Sequence, residues 1–224
     1  MKKILIGLTF TFATLVVSSA SAVTVAGINF ADNAIADVAT GSNSQFLNWN
    51  PTYDETGISA AQLSADMTDT SAGTYVFSFD AGAYIDMSFS SVDVYNGEGN
   101  DLALFFVGSD AQTGTLNLLG TEYSTAFTTP VFTGESVTEL FNDINGNPVI
   151  SPIYVSYFDL DVFGIDNQTA INNFRLEIGN GSAVPALLAA INTSPGTTPV
   201  PVPAPFLLLL SGLAGLGFFG RKKK

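Results

Sequence analysis

Along most of this chain apolar positions alternate with polar ones rather than recurring at helical spacing. In residues 83–95, Ile85, Met87 and Phe89 fall on one side of an extended segment and Asp86 and Ser88 on the other, the signature of a half-buried strand. Residues 75–79 and 153–163 are rich in the β-branched and aromatic side chains that strands accommodate. Residues 102–107, Leu-Ala-Leu-Phe-Phe-Val, form a continuous apolar run suited to a strand covered on both faces. Shorter strands are predicted at 24–30, 115–119, 125–133 and 171–178, while 184–191 fits either a last strand or a short helix. Gly and Asn punctuate these segments at Asn96-Gly97, Gly99, Gly108, Gly114, Asn145-Gly146 and Asn180-Gly181. Many short strands with such spacing predict an all-β fold, a single jelly-roll-like antiparallel β-sandwich over residues 23–192.

The two ends carry different patterns. Lys2 and Lys3 precede an apolar stretch at 4–17 and the small-residue site Ala20-Ser21-Ala22. This reads as a signal peptide over residues 1–22, cleaved between Ala22 and Val23. At the other end, residues 193–205 form a Pro/Thr-rich linker, in which prolines fix φ and push each preceding residue toward an extended backbone. Residues 206–219 carry no charge, and Arg221, Lys222, Lys223 and Lys224 follow as a basic cluster of the kind retained on the cytoplasmic side. At about 1.5 Å per residue such a span reaches roughly 21 Å, short of a hydrocarbon core of about 30 Å, which suits a temporary stay in the membrane.

Val200, Pro201, Val202, Pro203 and Ala204, the apolar stretch with Gly212, Gly215 and Gly217, and the basic close occur in this order. Together they resemble the PEP-CTERM sorting signal of Gram-negative bacteria in its Val-Pro-x-Pro-Ala variant, with Val202 where the commonest form has glutamate. The resemblance implies export through the Sec translocon, a transient inner-membrane anchor at 206–224, and processing by an exosortase, a membrane transpeptidase. It further implies delivery to the cell surface or the extracellular matrix of a biofilm. The segment Asn96-Gly97-Glu98-Gly99-Asn100-Asp101, followed by its apolar run, is similar to a pattern of bacterial surface domains, several of which carry this type of tail.

Charge narrows the partners. The chain has seven basic and twenty acidic residues. Six of the bases belong to the two terminal signals, so Arg175 alone faces all twenty acids in residues 23–192, a net charge of −19. Such a surface repels nucleic acid and anionic lipid. With no cysteine and no histidine, disulfides, thiol chemistry, the usual zinc ligands and Ser-His or Cys-His nucleophiles are excluded. Paired carboxylates alone hydrolyse glycosides in some enzymes, but no spacing here singles out a pair, and the expectation is a protein that is not an enzyme.

Two sets of residues are candidates for binding. Glu98 and Asp101 in the glycine-rich turn, with Asp159, Asp161 and Asp166 in the segment 157–166, offer oxygens for Ca²⁺, which takes six to eight of them. Strand alternation would place Asp159 and Asp161 on one face, about 6.8 Å apart. The alternatives are turn closure for Asp101 and a solvated edge for the others. Trp49 and Tyr53, and also Tyr123, present flat faces with polar edges for stacking on extracellular polysaccharide, the alternative for Trp49 being a place in the core. The function expected is a surface or matrix protein with a structural or adhesive role, or else a carbohydrate-binding module, with or without a dependence on calcium, that recognises extracellular polysaccharide. Deleting residues 200–224 is expected to leave the protein freely secreted or held in the periplasm, as fractionation and blotting will show; unchanged surface retention would overturn the sorting reading.

Overall fold

The computed structural model describes residues 22–49, 56–167, 169–179 and 183–193. The linker beyond Thr193, the sorting tail, most of the signal peptide and Tyr53 lie outside the described residues. Ala22 and Val23, which flank the expected cleavage point, open the first strand.

β1 (Ala22–Val25) and β2 (Ile28–Ala31) form a tight antiparallel hairpin. Its two turn residues, Ala26 and Gly27, both have positive φ, 44° and 78°, the twist that two-residue hairpins require. One predicted strand over 24–30 is therefore two. β3 (Val38–Gly41) precedes α1 (Ala60–Thr68), whose first turn is capped by Ser59 Oγ accepting the Gln62 N–H at 3.1 Å. The sequence pattern gives no sign of this nine-residue helix, because only Leu63, Asp66 and Met67 are buried and the apolar stripe is too short to read.

The remaining strands are β4 (Tyr84–Ser88), β5 (Val94–Tyr95), β6 (Leu102–Val107), β7 (Thr115–Leu118), β8 (Ser124–Ala126), β9 (Val131–Asn142), β10 (Pro148–Phe158), β11 (Ala170–Ile171), β12 (Asn173–Glu177) and β13 (Pro185–Ala190). Two main sheets result, one in the order β13-β6-β10-β9 and the other β3-β4-β12-β7-β8, with every pairing antiparallel. Residues 34–36 extend the first sheet beyond β13: the Ala36 N–H donates to Leu188 O at 2.9 Å and the Ala190 N–H to Ala34 O at 2.7 Å. The fold is thus all-β with one helix among the described residues.

A single hydrophobic cluster draws Ile85, Met87, Leu116, Phe174 and Leu176 from one sheet and Phe105, Phe106, Val155, Phe158 and Leu187 from the other. β6 and β13 are buried at every position, with α1 packed on β3 and β13, as a continuous apolar run demands. The segment 184–191 is a strand, and 102–107 is β6 at the predicted boundaries. On β4, Asp86 stands directly opposite Arg175 of β12 and receives two hydrogen bonds, from Nε at 2.6 Å and from the terminal guanidinium nitrogen at 2.9 Å; the guanidinium also lies 3.6 Å from the centre of the Tyr84 ring.

The strand predicted over 153–163 ends at Phe158. A 3₁₀ turn, Leu160–Phe163, follows, with Asp159 Oδ1 accepting the Asp161 N–H at 2.9 Å and Gly164 at φ 65° ending it. Asp159 and Asp161 therefore do not share a strand face. The short Asp side chain bonds the backbone two residues on and diverts it from the ladder.

Asp101 ties this turn to the rest. Its side chain is fully buried: Oδ1 accepts from the Gly97 N–H at 2.8 Å and Asn192 Nδ2 at 2.6 Å, and Oδ2 from the Leu160 N–H at 2.8 Å. Its own N–H donates to Phe158 O at 2.8 Å, and its carbonyl accepts from the Ile191 N–H at 2.7 Å. Asp101→Ala leaves three donors without an acceptor, the Leu160 N–H buried and the Gly97 N–H and Asn192 Nδ2 part-buried, and is expected to destabilise the domain by about 3–5 kcal/mol, measured by urea unfolding. A loss below about 1 kcal/mol would refute the bracing role.

Candidate functional site

One depression on this surface is walled by aromatic rings. The segment 75–79 runs extended, so Tyr75, Phe77 and Phe79 point to one side while Val76 and Ser78 are buried on the other. Paired hydrogen bonds hold it against residue 47: the Leu47 N–H donates to Phe77 O at 2.9 Å and the Phe77 N–H to Leu47 O at 3.1 Å. Trp49, two residues beyond Leu47, thereby meets Phe77 edge-to-face with ring centres 4.7 Å apart. β9 contributes Glu139 and Phe141 from one face; the Phe141 ring lies 5.5 Å from Trp49, again edge-to-face, and Phe79 completes the row 5.4 Å from Phe77.

The cleft encloses about 290 Å³, with Val107, Gly108, Ser151 and Val184 on its remaining sides, close to the lower end of small-ligand sites at about 300 Å³. A larger depression of about 570 Å³, bounded by residues 24–27, 70–73 and 135–138, has no aromatic lining.

Its position is set from behind. Asn48, fully buried next to Trp49, donates from Nδ2 to Asp66 Oδ2 of α1 at 2.5 Å, and Gln62 Nε2 donates to the other oxygen at 2.6 Å. Burial raises the Asp66 carboxyl above the usual carboxylate range, against the opposing pull of Gln62 and Asn48. In the cleft wall, the Tyr75 hydroxyl donates to Glu139 Oε2 at 2.6 Å, with both residues buried. Burial first, then the hydrogen bond and charge of Glu139, hold the phenol protonated far above its ordinary range. Phe79, by contrast, is 64% exposed, and the cleft presents one carboxylate, a phenol and a serine hydroxyl beside its rings.

Trp49 thus stands half-buried in the cleft wall, and Tyr123, 51% exposed, precedes β8 away from the cleft lining. Phe77, Phe79, Glu139 and Phe141 were not singled out by sequence; the alternation of aromatic and small residues over 75–79 was the unused signal for three of the aromatics sharing one side. The acidic candidates do not converge on one point. Glu98 is exposed, Asp101 is the brace, Asp159 caps the 3₁₀ turn, the exposed Asp161 accepts Asn96 Nδ2 at 2.8 Å, and exposed Asp166 offers its carbonyl to the Thr169 N–H at 3.1 Å. Among the described residues, no three Asp or Glu side chains gather closely enough to hold a metal by themselves. No protein-family model, curated protein or solved structure matches this chain.

Tyr75→Phe removes the donor to a buried carboxylate and is expected to cost about 1–3 kcal/mol at neutral pH. Because the folded phenol titrates above the unfolded value of 10.0, its contribution is complete below pH 10 and is lost as pH rises further, while the unfolded chain ionises and the folded one does not. Urea melts from pH 7 to 11 should therefore fall more steeply for the parent than for Tyr75→Phe; parallel profiles would remove Tyr75 from the account.

Proposed function

We propose that this chain is an exported, non-enzymatic adhesive protein of the cell surface or extracellular matrix, and that its β-domain holds extracellular polysaccharide in the aromatic cleft. The observation that carries this reading is the row formed by Trp49, Phe77, Phe79 and Phe141, with Tyr75, Glu139 and Ser151 as polar groups beside it. Sugar rings have apolar C–H faces and hydroxyl edges, so stacking surfaces with a few polar groups suit them. One carboxylate in the lining favours binding over hydrolysis, since glycosidases flank the scissile bond with two. A domain with twenty acids and one base favours a neutral polymer over an anionic one.

The strand order supports a jelly-roll sandwich. Residues 34–36, β13, β6 and β10 in one sheet, and β4, β12, β7 and β8 in the other, follow the nested order produced by two Greek keys folded across a sandwich. On this reading β9 and β3 are additional edge strands, and β9 is the one that supplies Glu139 and Phe141. The terminal signals support the route: Sec export, transient anchoring at 206–224, exosortase processing and release of the domain to the surface or matrix.

Retention of the purified protein on a panel of insoluble and gel-embedded neutral polysaccharides tests the reading. Trp49→Ala and Phe79→Ala are expected to weaken binding at least tenfold, the loss typical of a central aromatic anchor. Because Phe79 is exposed, its variant should melt with the parent. A flat panel, or full binding by both variants, would remove the cleft as the ligand site.

A further inference from the structure

At the far end of β6 from the cleft, the turn 96–101 meets the loop 159–167, and one side chain there is inconsistently satisfied. Asn96 is 2% exposed. Its Nδ2 points at three oxygens, Asp161 Oδ1 at 2.8 Å, Ile165 O at 2.6 Å and Asn167 Oδ1 at 3.4 Å, although an amide nitrogen has two hydrogens. Its Oδ1 is buried with no hydrogen-bond partner. Such an orphan is rare, and a polar atom left so costs about 1–3 kcal/mol.

We propose that Asn96 Oδ1, the Asp161 carboxylate, the Ile165 carbonyl and Asn167 Oδ1 form a Ca²⁺ site. A half-turn of the Asn96 amide exchanges its nitrogen and oxygen, two atoms that are assigned from their partners. The Asn96 oxygen then faces three other oxygens, an arrangement that is repulsive without a cation and favourable with one. The spacing fits. Oxygens about 2.4 Å from one ion and separated by angles of 70–90° lie about 2.8–3.4 Å apart, close to the 2.6–3.4 Å seen around Asn96.

Asp161 supplies the negative charge, and the exposure of Asp161 and Asn167 leaves the outer side open to the waters that complete six to eight ligands. All the donors are oxygen, one a backbone carbonyl and two amides, in an irregular loop. This set suits calcium better than magnesium, which demands near-octahedral geometry and keeps its water. Asp101 is not a ligand, because its two oxygens already accept three N–H groups; by holding Gly97 and Leu160 it fixes both flanks of the site. Five residue steps along β6 at about 3.4 Å separate this end from the cleft by about 17 Å. The ion therefore secures the loop rather than bridging to a sugar.

The test is the melting temperature of the full-length chain in detergent, with CaCl₂, with MgCl₂, or with EDTA and NaCl at equal ionic strength. Calcium at a hundred times its dissociation constant is expected to raise the parent's melting temperature by about 5–10 °C, with no comparable rise in magnesium. Asn96→Ala risks misfolding, so the deciding variants are the near-isosteric Asp161→Asn and the exposed Asn167→Ala. Both should melt near the parent in EDTA and lose most of the calcium shift. Trp49→Ala should keep the shift whether or not it binds polysaccharide, so the two sites fail independently. No calcium-specific shift in the parent, or an undiminished shift in Asp161→Asn combined with Asn167→Ala, overturns the site.

Discussion

A strand that is apolar at every position must be covered on both faces, and β6, like its neighbour β13, is such a strand. It pairs with β10 on one side and β13 on the other, and all six of its side chains are buried. That requirement places the second sheet, while α1 packs on β3 and on the neighbouring β13. The two ends of β6 carry the two proposed sites. One end runs into Asp101 and the oxygen-rich loop, and the other, at Val107 and Gly108, borders the aromatic cleft. Burial of this strand sets the distance between the two sites and keeps each on a rigid support.

The acidic surplus shapes the loops more than the core. With Arg175 committed to Asp86, carboxylates find their partners among N–H and O–H groups. Asp101 takes three N–H donors, Asp37 accepts from Ser90 and Ser91, and Asp143 closes the β9–β10 turn by accepting the N–H groups of Asn145 and Asn147. The Asn147 N–H, foremost, holds the Asp143 carboxyl below its usual range. In a chain lacking cysteine, these short side-chain bonds to backbone do the loop-fastening that disulfides perform in disulfide-bonded domains. They also explain why alternation misled at 159–163: Asp159 reads as an outward strand residue but caps a 3₁₀ turn.

The candidate site was legible only in pieces. Trp49 was a candidate as a flat face for stacking, and 75–79 reads as a strand-forming segment without its aromatics being assigned to a shared face. Nothing local links either to Glu139 or Phe141, which arrive on the edge strand β9 and are ordinary outward-facing residues until the sheets pack. Similarly, Asp161 was a candidate by composition. Asn96 was not, because an Asn before Gly reads as turn chemistry, and its burial depends on a loop more than sixty residues away.

By itself the sequence determined what depends on local chemistry: an all-β class from alternation, β6 from its uninterrupted apolar run, turn positions from Gly and Asn, and the exclusion of cysteine and histidine chemistry from their absence. The tertiary structure alone decided which strands are neighbours, that 60–68 is a helix, and which side chains meet across distant segments. The physical reason is range. Backbone preference and side-chain alternation act over a few residues, whereas the cleft and the oxygen cluster each require segments far apart in sequence, brought together by burying both faces of one strand.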